Sequence, residues 1–288
     1  MLGDRTINRM GFGSMRITAD PDPRVAVRVL RRAVELGVDH FDTAAFYCSP
    51  GGIVDVGPGP VRHATALIRE ALRPYPNRVF VATKVGPRRL PDGGWAAADT
   101  PELLREAVEE NLRRLGVDTL DLVNLRLTGP VGGGSFAERF GALAGMRQEG
   151  LIRHLGLSNV SVAHLDEAVG IAPVVCVQNA YAVDVRRDDD LLRICGERGI
   201  AFVPFFAIAG PGRETGPSRA VGGAGLRRVA ARYGVNEHQV RLAWTLHRGP
   251  HVLAIPGTGD LGHLEQNVAA GSLRLTDEDL ADIDHPSV

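Results

Sequence analysis

Short apolar runs alternate along the chain with longer segments whose apolar residues recur at helical spacing. The apolar runs predict eight strands, at residues 10–16, 38–41, 79–85, 120–127, 153–157, 174–178, 200–206 and 251–255. Because the runs are largely continuous rather than alternating, they are typical of parallel strands buried on both faces.

The amphipathic segments predict helices between these strands, at residues 23–36, 61–72, 100–116, 136–148, 161–169, 188–198, 226–233, 237–248, 262–269 and 277–283. Gly37 after the first and Thr100-Pro101 at the third are typical helix boundary signals. The alternation favours an α/β fold, a single-domain (β/α)8 TIM barrel over residues 1–288. The competing open doubly wound sheet would need a Gly-x-Gly-x-x-Gly loop after its first strand, and the segment 11–16 lacks it.

The composition excludes several classes of protein. A net charge of −1 with 44% hydrophobic residues argues against disorder and against a nucleic-acid partner. Every apolar run is far shorter than the roughly 20 residues of a membrane helix, and the first residues lack the pattern of a signal peptide. Three cysteines and nine histidines show no metal-ligand spacing. We therefore expect a cytoplasmic protein with free thiols, no metal and a small-molecule partner.

Lys84 is the single lysine among 33 basic residues, the others all being arginine. It lies in the apolar run 79–85, where burial disfavours a charged lysine unless a carboxylate compensates it. Lysine differs from arginine in its compact head and in how readily its protonation responds to burial. A paired structural lysine and a chemically active lysine are both compatible with this position.

Asp42 and Tyr47 follow the strand predicted before that of Lys84. Asp42 comes directly after the strand, and Tyr47 lies in the loop beyond it. Carboxyl ends of barrel strands build active sites, and neighbouring strands are about 4.8 Å apart, so Asp42 can meet Lys84. A lysine held protonated by Asp42 would help Tyr47 give a proton to a carbonyl oxygen or take it back. The alternative is a structural Asp–Lys pair beside an unrelated tyrosine.

Five motifs occur in order along nearly the whole chain and together resemble the aldo-keto reductase superfamily. They are Asp42-Thr-Ala-x-x-Tyr47, Ala82-Thr-Lys84, Gly156-Leu-Ser-Asn159, Val177-Gln-Asn179 and Ile255-Pro-Gly-Thr258. The resemblance implies a (β/α)8 barrel, NADPH bound without a Rossmann fold, and reversible interconversion of a carbonyl and an alcohol. It also implies that Tyr47 is the general acid and that Lys84 and Asp42 tune it.

Arg126 departs from the family pattern. It stands in Val-Asn-Leu-Arg126, at the end of the fourth predicted strand, where the family usually has a catalytic histidine. Arginine stays protonated and cannot relay a proton, but it can orient a carbonyl or stabilise negative charge on its oxygen. An Arg126 that only points into the loop layer is the alternative. The surrounding sequence resembles a bacterial subgroup that includes pyridoxal reductases.

The resemblance also implies a set of cofactor-binding residues. Matches to residues that bind the nicotinamide are Ser158, Asn159 and Gln178, with Phe205 where the family often stacks a tyrosine on that ring. Matches to the adenosine end are Gly257, Thr258, His263, Gln266 and Asn267. Because Gly257 and His263 replace the family's usual basic residues, NADH is a possible cofactor beside NADPH. The start of the helix after Thr258 could supply backbone N–H groups to a phosphate.

The leading function is therefore NAD(P)H-dependent reduction of an aldehyde or ketone, with pyridoxal or a secondary-metabolite carbonyl as substrate. Two alternatives stay open. One is an alcohol or sugar dehydrogenase that runs in the oxidative direction on the same residues. The other is a non-catalytic regulatory subunit that binds cofactor, which the missing histidine favours mildly and the intact Asp42, Tyr47 and Lys84 oppose. The sequence does not indicate the oligomeric state.

Overall fold

A single parallel sheet organises the computed structural model, which describes residues 1–54, 56–90, 92–128, 134–208 and 223–284. Four strands outside this sheet form two hairpins, β3 (Cys48–Ser49) with β4 (Arg62–His63) and β6 (Pro87–Arg89) with β7 (Trp95–Ala97). The sheet itself has seven strands in the spatial order β1 (Phe12–Gly13), β2 (His40–Asp42), β5 (Phe80–Val85), β8 (Leu120–Arg126), β9 (Ile152–Ser158), β10 (Val174–Gln178) and β11 (Ala201–Phe202).

The sheet closes on itself through the segment 251–256. Val252 forms a parallel bridge with Phe202 of β11, and Ala254 forms one with Met10 beside β1. The Gly13 amide also donates to the carbonyl of Pro256, at 3.1 Å. The predicted last strand therefore takes the eighth position of the barrel, although it is bridged rather than paired as a continuous ladder. This confirms the (β/α)8 barrel.

Ten helices lie among the described residues, close to the predicted positions. Asp22 caps the first through the Arg24 amide and Thr100 caps the third through the Leu103 amide, while left-handed Gly116 ends the third. The helices are α1 (Pro23–Glu35), α2 (Ala64–Leu72), α3 (Pro101–Leu115), α4 (Phe136–Gln148), α5 (Val162–Val169), α6 (Asp189–Glu197), α7 (Ala224–Tyr233), α8 (Glu237–His247), α9 (Leu261–Ala270) and α10 (Asp277–Asp284).

Two apolar clusters show how the barrel is packed. The larger one joins outward strand residues such as Phe41, Val123 and Val177 to the helices. A smaller cluster includes Phe80 and Leu122 and fills the barrel interior. Side chains alternate between these layers along each strand, so residues two positions apart point into the same layer.

The prediction missed both hairpins and overestimated two strands. Residues 10–16 form only the two-residue β1, because a 3-10 helix, Met15–Thr18, begins directly after it. The predicted strand 200–206 is likewise reduced to β11, with one further bridge between Phe205 and Ala180. Within the described residues, no helix has the length and apolar character needed to cross a membrane.

Gly257 allows the main chain to approach closely where the barrel closes. A Cβ on Gly257 would lie 2.2 Å from the carbonyl oxygen of Gly13, whereas one on Gly259 would meet nothing within 4 Å. We expect Gly257→Ala to lower the free energy of unfolding by about 1–3 kcal/mol, because backbone must move. Urea unfolding measures this, with Gly259→Ala as the matched control. Equal stability of the two variants would contradict the steric role of Gly257.

Candidate active site

A buried ion pair lies at the carboxyl ends of two neighbouring strands. Lys84 near the end of β5 donates to both carboxylate oxygens of Asp42, the last residue of β2, at 2.7 and 2.6 Å. Its ammonium also donates to the Thr43 carbonyl at 3.1 Å. Asp42 accepts a further bond from Nε2 of Gln178, at 2.8 Å. The pairing of β2 with β5 thus produces the contact expected between Asp42 and Lys84.

The ion pair keeps Lys84 charged although its side chain is only 1% exposed. Burial acts to lower the pKa of Lys84, but the negative charge of Asp42 and the hydroxyl of Tyr47 outweigh it. The balance raises the pKa of Lys84 above its ordinary value of 10.5. A permanent positive charge is therefore held at this point throughout the neutral pH range.

Tyr47 lies against this charge. The Lys84 ammonium is 4.8 Å from the centroid of the Tyr47 ring. The backbone of Tyr47 is fixed on both sides, since its amide donates to Ala44 and its carbonyl accepts from Ala64. Phe46 packs edge-on against the ring at 5.2 Å. The Tyr47 ring is thus held against the Lys84 ammonium.

Asp42 and Tyr47 line a cleft at the same end of the barrel. Met15, Phe46, Ile53 and Ile208 give it largely apolar walls. The other described lining residues are Gly13, Arg16, Arg126, Gln178, Pro204, Phe205, Phe206, Ala207, Ile255, Pro256 and Gly257. The cleft thus combines a positioned phenol with apolar walls, a combination suited to a small organic molecule.

Arg126, the last residue of β8, also lines this cleft. Its guanidinium is 4.8 Å from the centroid of the Phe205 ring, and Nη1 donates to the Ser158 hydroxyl at 3.2 Å. The side chain therefore points into the cleft rather than into the loop layer. No histidine is among the described residues that line it, and Arg126 and Arg16 are the two arginines that do. The role of Arg126 toward a substrate oxygen stays a prediction.

The four residues expected to bind a nicotinamide lie near one another around the carboxyl ends of β9 and β10. Ser158 and Gln178 are fully buried, at the ends of neighbouring strands β9 and β10. Gln178 Oε1 has no hydrogen-bond partner among the described residues, and such a buried acceptor fits an amide N–H of a ligand. Asn159 is left-handed, with φ of 60°, and its side chain donates to the Leu127 carbonyl. Phe205 offers a ring at the cleft.

The residues expected at the adenosine end extend from the cleft along α9. Only Gly257 of this group lines the cleft itself. Thr258 accepts from the Asp260 amide, and Asp260 in turn accepts from the His263 amide as the N-cap of α9. Gln266 accepts from the side chain of Asn236, the N-cap residue of α8, and Asn267 is buried on α9. The assignment of this group stays a prediction.

Sequence reasoning missed two features of the site. The Gln178 amide has a second role, since it supports the Asp42 carboxylate. Phe46 and the β6–β7 hairpin were also overlooked, although Trp95 of this hairpin packs edge-on against Phe46 at 6.1 Å. The turn residues Asp92-Gly93 are typical of a hairpin and could have indicated it. The Gln178 contact joins strands distant in sequence and has no comparable local signal.

One family model and two individual proteins match nearly the whole chain in sequence. The family model described as "Aldo/keto reductase family" matches residues 9–287. Pyridoxine 4-dehydrogenase of Escherichia coli is 41% identical, over 98% of this chain and 96% of its own length. An uncharacterised oxidoreductase of Schizosaccharomyces pombe is 36% identical, over 98% of this chain and 88% of its own.

Two solved structures of aldo-keto reductases resemble this chain over nearly its whole length. The thermostable aldo-keto reductase Tm1743, crystallised with the inhibitor epalrestat, has a TM-score of 0.80 and 29% identity over 99% of this chain and 97% of its own. An aldo/keto reductase from Klebsiella pneumoniae, crystallised with NADP and acetate, has a TM-score of 0.80 and 26% identity over 98% and 93%. Both share the barrel over essentially the full length of this chain.

Proposed function

The chain belongs to the aldo/keto reductase family, and on this basis we propose that it reduces a small aldehyde to an alcohol with NADPH. The observation that carries the proposal is the buried Lys84–Asp42 pair held against Tyr47 in an open cleft. A purely structural ion pair would not need a phenol beside it at a cleft. The same arrangement argues against a regulatory subunit without catalytic activity.

Tyr47 is the proton donor in this proposal. NADPH, when bound, supplies the hydride that reduces the carbonyl carbon. The hydroxyl of Tyr47 gives its proton to the carbonyl oxygen, and the Lys84 ammonium stabilises the phenolate that results. Asp42 keeps the ammonium charged and fixed, while Gln178 orients Asp42. In the oxidative direction the phenolate takes the proton back.

The buried polar groups beside Asp42 suggest which residues bind the cofactor. Gln178 Oε1 and the Ser158 hydroxyl would bind the carboxamide, and Phe205 would pack on the nicotinamide ring. Gly257, Thr258, His263, Gln266 and Asn267 would contact the adenosine end. The Klebsiella relative crystallised with NADP supports NADPH over NADH.

Pyridoxal is the substrate that we propose first. The relative named pyridoxine 4-dehydrogenase supports this class, because pyridoxal is the aldehyde that corresponds to the 4-hydroxymethyl group of pyridoxine. The apolar and aromatic walls of the cleft suit a planar ring. Arg126 would donate to the carbonyl oxygen or to a phenolate on the ring.

Loss of NADPH absorbance in the presence of pyridoxal tests the proposal directly. We expect turnover with pyridoxal to exceed that with simple aliphatic aldehydes, and NADPH to be used in preference to NADH. The reverse reaction with pyridoxine and NADP should proceed on the same enzyme. If purified protein consumes no NADPH with pyridoxal or with any reactive aldehyde, a non-catalytic role replaces this proposal.

Substitutions of Arg126 test its electrostatic role. Arg126→Leu should lower kcat/KM about tenfold or more, because a charge-assisted hydrogen bond of roughly 1.5–3 kcal/mol is lost. Wild-type rates should show no titration step around pH 6.5, the ordinary pKa of a histidine, whereas Arg126→His should acquire one. Arg105→Leu, on the outside of α3, serves as the control. A step at this pH in the wild type that persists unchanged in Arg126→His would contradict the role given to Arg126.

A further inference from the structure

A second cleft lies beside the catalytic pair, and its described lining residues include Lys84 but not Arg126. Its floor includes Lys84 and Phe46, and Phe46 also lines the cleft of Tyr47. The two hairpins β3–β4 and β6–β7 and the helix α3 form its walls. We call it the hairpin cleft. Its volume of about 680 Å³ falls in the range typical of sites for small organic ligands.

Positive charge predominates in the interior of the hairpin cleft. Three half-buried arginines line it, Arg88 and Arg89 from β6 and Arg114 from α3, with one half-buried carboxylate, Glu110. Glu110 is bound to Arg114 at 2.7 Å. In the described part of the chain, neither Arg88 nor Arg89 forms an ion pair. Three guanidiniums and one carboxylate leave two positive charges to be balanced.

Further polar groups line the hairpin cleft. The thiol of Cys48 is one of them, and burial raises its pKa, while the charges of Arg89 and Arg114 act against that rise and the charge of Glu110 adds to it. His63 also lines the cleft, and its buried Nδ1 has no hydrogen-bond partner among the described residues.

The outer part of the hairpin cleft differs in character. Apolar side chains there include Val61, Leu90, Leu103 and Ala107. On the rim, the exposed Glu106 and Glu109 are offset in part by Arg113. A ligand that fits both regions has a doubly negative head for the arginines and a small organic body for the apolar wall.

We propose that the hairpin cleft is a binding site for a small phosphate monoester, separate from the cofactor and substrate sites. Guanidinium groups match the geometry of phosphate oxygens and can bind them in pairs. Arg88, Arg89 and Arg114 hold the phosphoryl group, and His63 Nδ1 donates or accepts one further bond. The ligand rests on Phe46 and Lys84, so its site shares a wall with the catalytic residues.

Binding of inorganic phosphate and of phenyl phosphate to enzyme saturated with NADP+ tests the proposal. Saturation with NADP+ fills the sites that bind the phosphates of the cofactor, so that added phosphate cannot bind there. Sodium chloride is used to keep the ionic strength constant during the titration. Calorimetry should show one site that binds phenyl phosphate more tightly than inorganic phosphate. Arg89→Gln should raise its Kd about tenfold or more, since a charge-assisted contact is lost, and Arg89→Lys should raise it less.

Arg105→Gln is the matched control, because Arg105 lies on α3 outside the cleft and pairs with Glu149. It removes the same charge and should leave the Kd unchanged. Arg88→Gln repeats the test if Arg89→Gln lowers the Tm. The proposal is overturned if NADP+-saturated wild type binds neither phosphate, if Arg88→Gln and Arg89→Gln bind as tightly as wild type, or if Arg105→Gln weakens binding equally. These readouts do not depend on turnover.

Discussion

Tyr47→Phe should lower turnover about 10²–10⁴-fold, the loss typical of removing a general acid, while the cofactor binds as in the wild type. The substitution removes only the hydroxyl. The ring keeps its edge-on contact with Phe46 and its position 4.8 Å from the Lys84 ammonium. Single-turnover rates of NADPH oxidation measure the chemical step, and a fluorescence titration with NADPH measures binding.

Tyr75→Phe is the control for loss of a phenol. Tyr75 lies between α2 and β5, and its hydroxyl donates to the Leu115 carbonyl at 2.9 Å, at the end of the barrel opposite the cleft. This variant should keep its turnover and lose only a little stability. Turnover of Tyr47→Phe within a few-fold of wild type would remove Tyr47 from the role of proton donor.

The contact between Asp42 and Lys84 could be predicted because it follows from local sequence and strand order. Each residue lies at the carboxyl end of an apolar run, and consecutive parallel strands of a barrel are neighbours. The register of β2 and β5 then brings the two side chains together. A buried lysine stays charged only if a carboxylate lies within reach. Asp42 lies on the neighbouring strand and could therefore be predicted as the partner.

Other parts of the site depend on contacts that no local pattern encodes. Gln178 meets Asp42 across the barrel interior, from a strand far along the chain. The arginines of the hairpin cleft lie on β6 and α3, and only the folded hairpin brings them into one cleft. At the adenosine end, Gln266 accepts from Asn236, which lies 30 residues earlier in the sequence. Sequence spacing does not predict this contact.

Lys84→Met should abolish measurable turnover and lower the free energy of unfolding by about 3–5 kcal/mol at neutral pH, because Asp42 would be left buried without its partner. The raised pKa of Lys84 decides the pH dependence. The ion pair is complete below the ordinary lysine value of 10.5 and weakens as pH rises through the higher value of the folded state. The stability difference from wild type should therefore be constant around neutrality and shrink only at strongly alkaline pH.

The double variant Asp42→Asn with Lys84→Met separates the structural role of the pair from its catalytic role. A neutral amide can still accept from Gln178, so most of the lost stability should return in urea unfolding. Turnover should not return, because no cation remains to stabilise the Tyr47 phenolate. Lys84→Arg should be nearly as inactive as Lys84→Met, since a guanidinium is too large for a site that is 1% exposed. Normal turnover in either the double variant or Lys84→Arg would reduce Lys84 to a structural residue.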